Sequence, residues 1–281
     1  MSDLKETINK YYANKESLWG YTFIMHDSKH FGYYPQDKAG LTEKVAQHNY
    51  QELVAKTLAV KPGEYLLDAG CGRGVMACYL AKARDVNVWG IDLVDFEIEK
   101  AKNKARQLGV SDNVNFIVGD YSSTGLKSNS YDAVYTNETL SHSPDLGKAF
   151  AEFYRILKPG GRIALFEYVL ANDEEFTQQN MDMIDLIIKY SGMAGLKQFR
   201  KNAISPILLR HGFVDYTEND ITAEMKPSFF RLHKLLKPLY PIVKLFGLQS
   251  KLINTTSAVE LFPMVEKNLI FYYVYTARKP V

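Results

Sequence analysis

Leu66-Leu67-Asp68-Ala69-Gly70-Cys71-Gly72-Arg73-Gly74 ends an apolar run and leads into the helix-forming segment VMACYLAKA. Its glycines let the backbone turn sharply and come close to a ligand without a Cβ in the way. The helix that follows points its unpaired N–H groups at the same place. A strand-to-helix turn that binds nothing would have a similar composition, so the surroundings must decide. The dinucleotide spacing G-x-G-x-x-G would need glycine at 75, where Val75 stands.

Outward from this loop, strands and helices alternate. EYLLDAG, VNVWGID, VNFIVGD, YDAVYTN and RIALFEYVL are apolar runs of strand length. Between them VMACYLAKA, EIEKAKNKARQLG and DLGKAFAEFYRIL have helical periodicity, Gly109 capping the second and Lys158-Pro159-Gly160-Gly161 stopping the third. This rhythm predicts a parallel sheet with crossover helices. Asp68, Asp92 and Asp120 end the first three strands, at the edge where open α/β sheets bind ligands. Asp92 can accept from both hydroxyls of a ribose, Asp120 can face an adenine amino group, and Asp68 lies near an amino-acid-like head. Helix N-capping would explain any one of the three. Together they point to a ligand.

Residues 4–19 place Leu4, Ile8, Tyr11, Tyr12, Leu18 and Trp19 on one helical stripe. Residues 20–40 read as loop, and a second helix is predicted from Leu41–Thr42 to about Ala59. After residue 170 the rhythm breaks. Residues 174–200 look helical, NAISPILLRHGF feeds a strand near Val214–Tyr216, and NLIFYYVYTARK is a final strand. Residues 225–255 form an apolar, Pro-interrupted helical stretch that reads as a cap over the carboxyl edge. The expected division is an N-terminal helical segment (1–60) contributing to a substrate cap, a cofactor-binding core (61–170), and the rest of the sheet with its cap insertion (171–281).

The spacing G-x-G-x-G resembles the S-adenosylmethionine loop of class I methyltransferases. LLDAGCGRG, GID, GDY, YDAVYTNE and LKPGG follow in that family's order over residues 64–170. The resemblance implies a Rossmann-like seven-stranded sheet with an antiparallel last strand, and S-adenosyl-L-methionine as cofactor. Its implied contacts are Asp68, Gly70, Gly72, Gly74, Asp92, Leu93, Asp120, Tyr121 and Asn137. YYANKESLWGYTF, AQHNYQELV, YTNETLSHSP, LFEYVL and FYYVYTARKP look, more narrowly, like sterol C-methyltransferases and their tocopherol-type and prenyl-chain relatives. The sterol motif reads approximately I-E-A-T-C-H-A-P. Against Asn137 to Pro144 here, Glu, His and Pro coincide and the residues between them differ.

C-methylation of an alkene leaves a carbocation that must be stabilised and then deprotonated. Aromatic faces serve the first need and a carboxylate or imidazole the second. Glu138 and His142 are the catalytic candidates, facing the same way if a helix has begun by residue 138. A glutamate there could equally complement a helix dipole. Tyr12, Trp19, His26, His30, Tyr33, His48 and Glu167 are the substrate-facing candidates, packing being the plainer role for each tyrosine. Cys71 reads as a small loop residue, because methyl transfer to carbon or oxygen needs no thiolate. An O- or N-methyltransferase of a small aromatic or amine metabolite, with Glu138 or His142 as base, is the alternative. A cofactor-binding partner without catalysis is the third reading.

The 281 residues are 46% hydrophobic and carry a formal charge of +2, which gives no general argument for nucleic-acid binding. Cys71 and Cys78 make no disulfide framework, and MSDLKETINKYY lacks the apolar core of a signal peptide. A cytoplasmic enzyme acting on a hydrophobic small molecule is expected, with no metal and with a homo-oligomer left open. The N-x-T sequons at Asn137 and Asn254 read as chance matches. Residues 226–251 carry Lys226, Arg231, Lys234, Lys237, Lys244 and Lys251 with no acidic residue. Three readings fit: a solvated helix face, a peripheral membrane contact, or a lid whose cations meet a phosphate or diphosphate.

Overall fold

Asn14 breaks what would otherwise be one amphipathic N-terminal helix. A computed structural model describes residues 2–36 and 40–281, and in it Asn14 is extended and its side chain caps the next helix through the Glu16 N–H. Residues 4–19 therefore form two helices, α1 (Ser2–Ala13) and α2 (Lys15–Trp19), in place of the one expected. The expected loop over 20–40 opens with a π-helical turn, Gly20–Ile24, which the left-handed residues His26 and Asp27 end. Residues 37–39 of that stretch lie outside the described residues. Helix α3 (Glu43–Thr57) begins at Thr42, whose hydroxyl accepts from the Val45 N–H.

The alternating region then builds β1 (Tyr65–Ala69), α4 (Val75–Arg84), β2 (Asn87–Asp92), α5 (Asp95–Leu108) and β3 (Val114–Val118). It continues through β4 (Tyr131–Asn137), α6 (Leu146–Ile156) and β5 (Leu157–Leu170). Next come α7 (Gln178–Ser191), α8 (Ile204–Arg210), β6 (Val214–Asp220), α9 (Thr222–Leu236), α10 (Tyr240–Leu245), α11 (Ile253–Glu260), α12 (Phe262–Glu266) and β7 (Ile270–Arg278). The sheet order is β3-β2-β1-β4-β5-β7-β6. The first five strands run parallel, and β7 is antiparallel to both β5 and β6. The order reverses between β1 and β4, so a crevice opens at their carboxyl ends.

Strand alternation divides the core between the two faces of the sheet. Leu66, Tyr135, Phe166, Tyr272 and Val274 pack with α3, α4 and α5, while Leu67, Val134, Leu165, Tyr273 and Tyr275 pack with α6 and α8. Over the carboxyl edge lies a lid in which α1 touches α7, and α11 touches both α7 and α9. The N-terminal segment is pinned to it. The Glu16 carboxylate accepts from the Asn254 and Thr255 N–H groups at 3.1 and 2.7 Å, at the start of α11, and Tyr11 donates to Asn254 Oδ1 at 2.6 Å. A carboxylate at a helix N-terminus satisfies free donors and the dipole together. No helix among the described residues is long and apolar enough to cross a membrane.

Candidate active site

The glycine loop sits at this crevice because side chains cannot. Gly70 has φ +85°, and a Cβ on it would lie 2.0 Å from Thr139 Oγ1; one on Gly74, at φ +68°, would lie 2.6 Å from Phe116. The loop lines a cavity of about 900 Å³ that runs from the ends of β1, β2 and β4 up into the lid. Asp68, Gly70, Gly72, Asp92, Leu93, Asp120, Tyr121 and Asn137 all line it. Gly74 stands behind the loop, before α4, packed on Phe116 and Ala101. Asp92 fixes the loop, since its Oδ2 accepts from the Gly72 N–H at 2.8 Å and its Oδ1 from Val94 at 3.0 Å. Asp120 accepts from the Ser122 N–H at 2.7 Å, and the buried Tyr121 hydroxyl donates to the Thr139 carbonyl at 3.0 Å.

Two observations match S-adenosylmethionine to these residues. Asp68 is buried and its Oδ2 has no hydrogen-bond partner, which leaves an acceptor free for a ligand ammonium. Burial pushes its carboxyl up to about 7, the Tyr135 hydroxyl and then Asp92 modifying the effect. The glycine loop, in turn, leaves bare backbone at the cavity, a Cβ on Gly70 or Gly72 being barred by Thr139 and Lys29. Asp92 retains lone pairs for ribose hydroxyls beyond its two backbone bonds.

Glu138 is not on a helix. It occupies the left-handed region at φ +56°, its N–H bonded to the Phe166 carbonyl at 2.8 Å, and a 3-10 turn at Leu140–His142 follows. The premise for Glu138 and His142 pointing the same way therefore fails, and each has its own partners. Tyr168 donates to Glu138 Oε2 at 2.8 Å and Tyr272 to Oε1 at 2.9 Å. These tyrosines are directly opposite each other in the β5–β7 register, so their side chains leave the same face of the sheet. The Tyr50 hydroxyl lies 2.9 Å from that of Tyr272 and 3.1 Å from Asn137 Oδ1. Burial pushes the Glu138 carboxyl up to about 7, with the two phenols and the Phe31 amide opposing it.

His142 Nδ1 lies 3.1 Å from the Gly192 carbonyl, which can only accept, so Nδ1 carries the proton. Nε2 is then the acceptor facing the Tyr12 hydroxyl at 3.3 Å. Burial lowers its pKa to about 4, leaving a neutral imidazole at pH 7. Tyr12, Trp19 and His30 also line the cavity. His30 stacks on Tyr50 at 4.7 Å, its Nδ1 3.0 Å from the Phe31 carbonyl, and burial holds it near pKa 4.

Four expected substrate residues lie elsewhere. His26 and His48 line a separate small depression beside α3, His48 edge-on to Tyr79. Tyr33 packs into the core between the sheet and α3. Glu167 is fully buried and accepts from the N–H groups of Thr139, Leu140 and Ser141, building the turn that carries Glu138 and His142. Cys71 is a buried thiol whose pKa burial pushes well up, with no role in acid–base chemistry.

The sequence reading missed Tyr168 and Tyr272, although both fall in quoted strands where alternation could have placed them. It also missed the apolar chamber formed by Ile8, Ile184, Ile187, Met193, Leu261 and Val265, with Leu232 and Phe262 nearby. The basic cap reaches this chamber only with apolar side chains, Phe229, Leu232 and Leu236. Of its cations, none lines the cavity; Arg231 pairs with Glu43 at 3.0 Å, Lys226 with Glu266 at 3.4 Å and Lys244 with Glu260 at 2.8 Å. The reading of these residues as a diphosphate-binding lid is thereby overturned.

Residues 67–165 match the family model described as a methyltransferase domain. Over 98% of its length the chain is 29% identical to the S-adenosyl-L-methionine-dependent Diels-Alderase iccD of Talaromyces variabilis, covering 96% of that protein. It is 32% identical to the sterol 24-C-methyltransferase of Pneumocystis carinii over 59% of this chain, which spans only 43% of that enzyme. Among solved structures, the geranyl diphosphate C-methyltransferase of Streptomyces coelicolor A3(2), in complex with Mg2+, geranyl diphosphate and S-adenosyl-L-homocysteine, superposes with a TM-score of 0.72 at 19% identity, 98% of each chain being covered. With the strand order, the glycine loop and the three strand-end carboxylates, these likenesses give one conclusion: the chain carries a methyltransferase domain on the seven-stranded fold of the class I S-adenosylmethionine-dependent methyltransferases, and it resembles the sterol C-methyltransferases over part of their length.

Proposed function

We propose that the protein methylates a carbon of an uncharged, largely hydrocarbon alkene of isoprenoid type. The observation that carries this reading is the apolar chamber, which is continuous with the glycine loop and ends on a carboxyl held by two phenols. When bound, the cofactor supplies an electrophilic methyl group. The chain excludes water with its lid and orients the alkene by apolar contact. Tyr168 and Phe229, which line the chamber, offer aromatic rings to the cation left on the acceptor, each worth about 2 kcal/mol when desolvated. Glu138, ionised above pH 7, takes the departing proton. A neutral acceptor fits better than a prenyl diphosphate. The cations lining the cavity are Lys5 and Lys148, both exposed, and Lys29 and Arg73 at the glycine loop.

A second reading rests on end-to-end similarity to a Diels-Alderase that depends on the same cofactor. In it the cofactor shapes one wall of the chamber and a polyene cyclises beside it without receiving the methyl group. One experiment separates the readings: purified protein with methyl-labelled cofactor and a panel of neutral sterols, prenyl chains and linear polyenes. Label on carbon in a product supports methylation, and E138Q should then form that product at least ~100-fold more slowly. Label on oxygen or nitrogen overturns C-methylation. A cyclised product without label or released S-adenosylhomocysteine establishes the second reading.

We also infer that residues 226–251 meet a lipid surface. Leu235, Leu239, Ile242, Leu245 and Phe246 are exposed there, with Leu245 at 79% and Phe246 at 68%, among the lysines at 234, 237 and 244.

A further inference from the structure

Two buried groups of opposite charge face the glycine loop without hydrogen-bond partners: Asp68 Oδ2 and Lys29 Nζ. Lys29 lies on the segment after the π-helical turn, and its stem crosses the loop so closely that a Cβ on Gly72 would lie 2.9 Å from Lys29 Cδ and 3.4 Å from Nζ. The ammonium sits over the Tyr12 ring, 3.6 Å from its centroid. Its nearest carboxylate is Glu97, with which it forms an ion pair at 3.6 Å, beyond hydrogen-bond reach, and Asp92 also acts on its charge from a greater distance. The Glu97 carboxylate already accepts from Arg73 Nε at 3.1 Å. Burying an ammonium without such bonds is costly, and burial lowers the Lys29 pKa accordingly.

Arg73, the other cation at the loop, has its charge balanced twice. Its Nη1 donates to Asp27 at 2.6 Å and to Thr22 at 2.9 Å, in addition to the Glu97 bond, although Nη2 stays unbonded. Arg73 therefore ties the N-terminal segment to the loop, and Lys29 is left as the cation open to a ligand. An amino-acid head is a zwitterion, needing an anion and a cation at the two sides of one small site.

We propose that Lys29 binds the α-carboxylate of S-adenosylmethionine while Asp68 takes its α-ammonium. The pair makes the N-terminal segment part of the cofactor site, with Lys29 carried into place by the lid and not by the sheet. The assignment rests on the cofactor identity and on neither reading of the acceptor.

Calorimetry with S-adenosylmethionine and its decarboxylated analogue tests it on the full-length protein. Wild type should bind the intact cofactor roughly tenfold or more tightly than the analogue. K29M should lose that advantage, binding the intact cofactor roughly tenfold more weakly and the analogue unchanged, while K29R should keep the preference. The unchanged affinity for the analogue also shows that K29M folds. Equal weakening towards both ligands would make Lys29 a packing residue and overturn the proposal, as would an unchanged affinity for the intact cofactor. Wild type that binds neither ligand would overturn the cofactor assignment with it.

Discussion

Glu138 holds a carboxyl in a backbone conformation that few residues other than glycine, asparagine and aspartate adopt readily. What keeps it there is a pair of phenols from strands far away in sequence, Tyr168 and Tyr272. Their O–H groups favour the ionised carboxylate, whereas burial opposes it and wins, pushing the group up to about 7. As the proposed base, Glu138 works only once deprotonated, so single-turnover product formation should rise about tenfold per pH unit below pH 7 and level off above it. Y168F or Y272F removes a donor that holds this pKa down. The rising limb should then move to higher pH, with the rate at pH 7 falling roughly threefold. A limb that stays in place in both variants would mean that another group sets it. Glu138 and His142 could be picked from the sequence as residues, but their geometry could not. The spacing suggested one helical turn, whereas the left-handed residue and the 3-10 turn after it separate their partners. No local pattern announces a tyrosine contact 134 residues away.

At the next scale the turn after β4 is built around Glu167. One buried carboxylate there collects three backbone N–H groups that nothing else satisfies. E167A would leave them buried and unpaired, costing about 3 kcal/mol or more and lowering Tm by several degrees in thermal unfolding. E167Q keeps a carbonyl oxygen for Thr139 and Leu140 and should retain much of that stability. Equal melting of wild type and E167A would refute the anchoring role. The strands themselves were legible, because apolar alternation and strand-end carboxylates are local signals. Boundaries were less so. Lys158-Pro159-Gly160-Gly161, expected as a helix stop, is already part of β5, and Pro159 is tolerated near the strand's start beside an irregular register. The break at Asn14 was hidden by an apolar stripe that continues across it, although Asn14 itself carries the capping signal.

For the molecule as a whole, the distribution of apolar surface bears on the proposed lipid contact. The chamber wall and the exposed patch share α9: Leu232 and Leu236 face inward, whereas Leu235 faces out. On the proposed lipid contact, an acceptor dissolved in a bilayer would enter close to residues 226–251. Co-sedimentation should be strong with vesicles containing anionic phospholipid, weaker with neutral ones and reduced by salt. L245E together with F246E should abolish it without changing cofactor affinity, while binding that survives this pair would place the contact elsewhere. The basic, apolar character of residues 226–251 could be read from the sequence, but the direction each charge faces could not. The acidic partners Glu43, Glu260 and Glu266 lie outside that stretch, and only folding brings them to it.

The lid bond from Tyr11 to Asn254 joins residues 243 positions apart, and Tyr50 meets Tyr272 across 222. A nascent chain therefore has no acceptor chamber until β7 is synthesised. Until then β5 presents a bare, apolar edge to its surroundings. Loop closure over such separations is slow, and partly made chains are exposed to aggregation meanwhile. The part of the chamber that holds Glu138 between two phenols is therefore complete only when β7 has docked on β5.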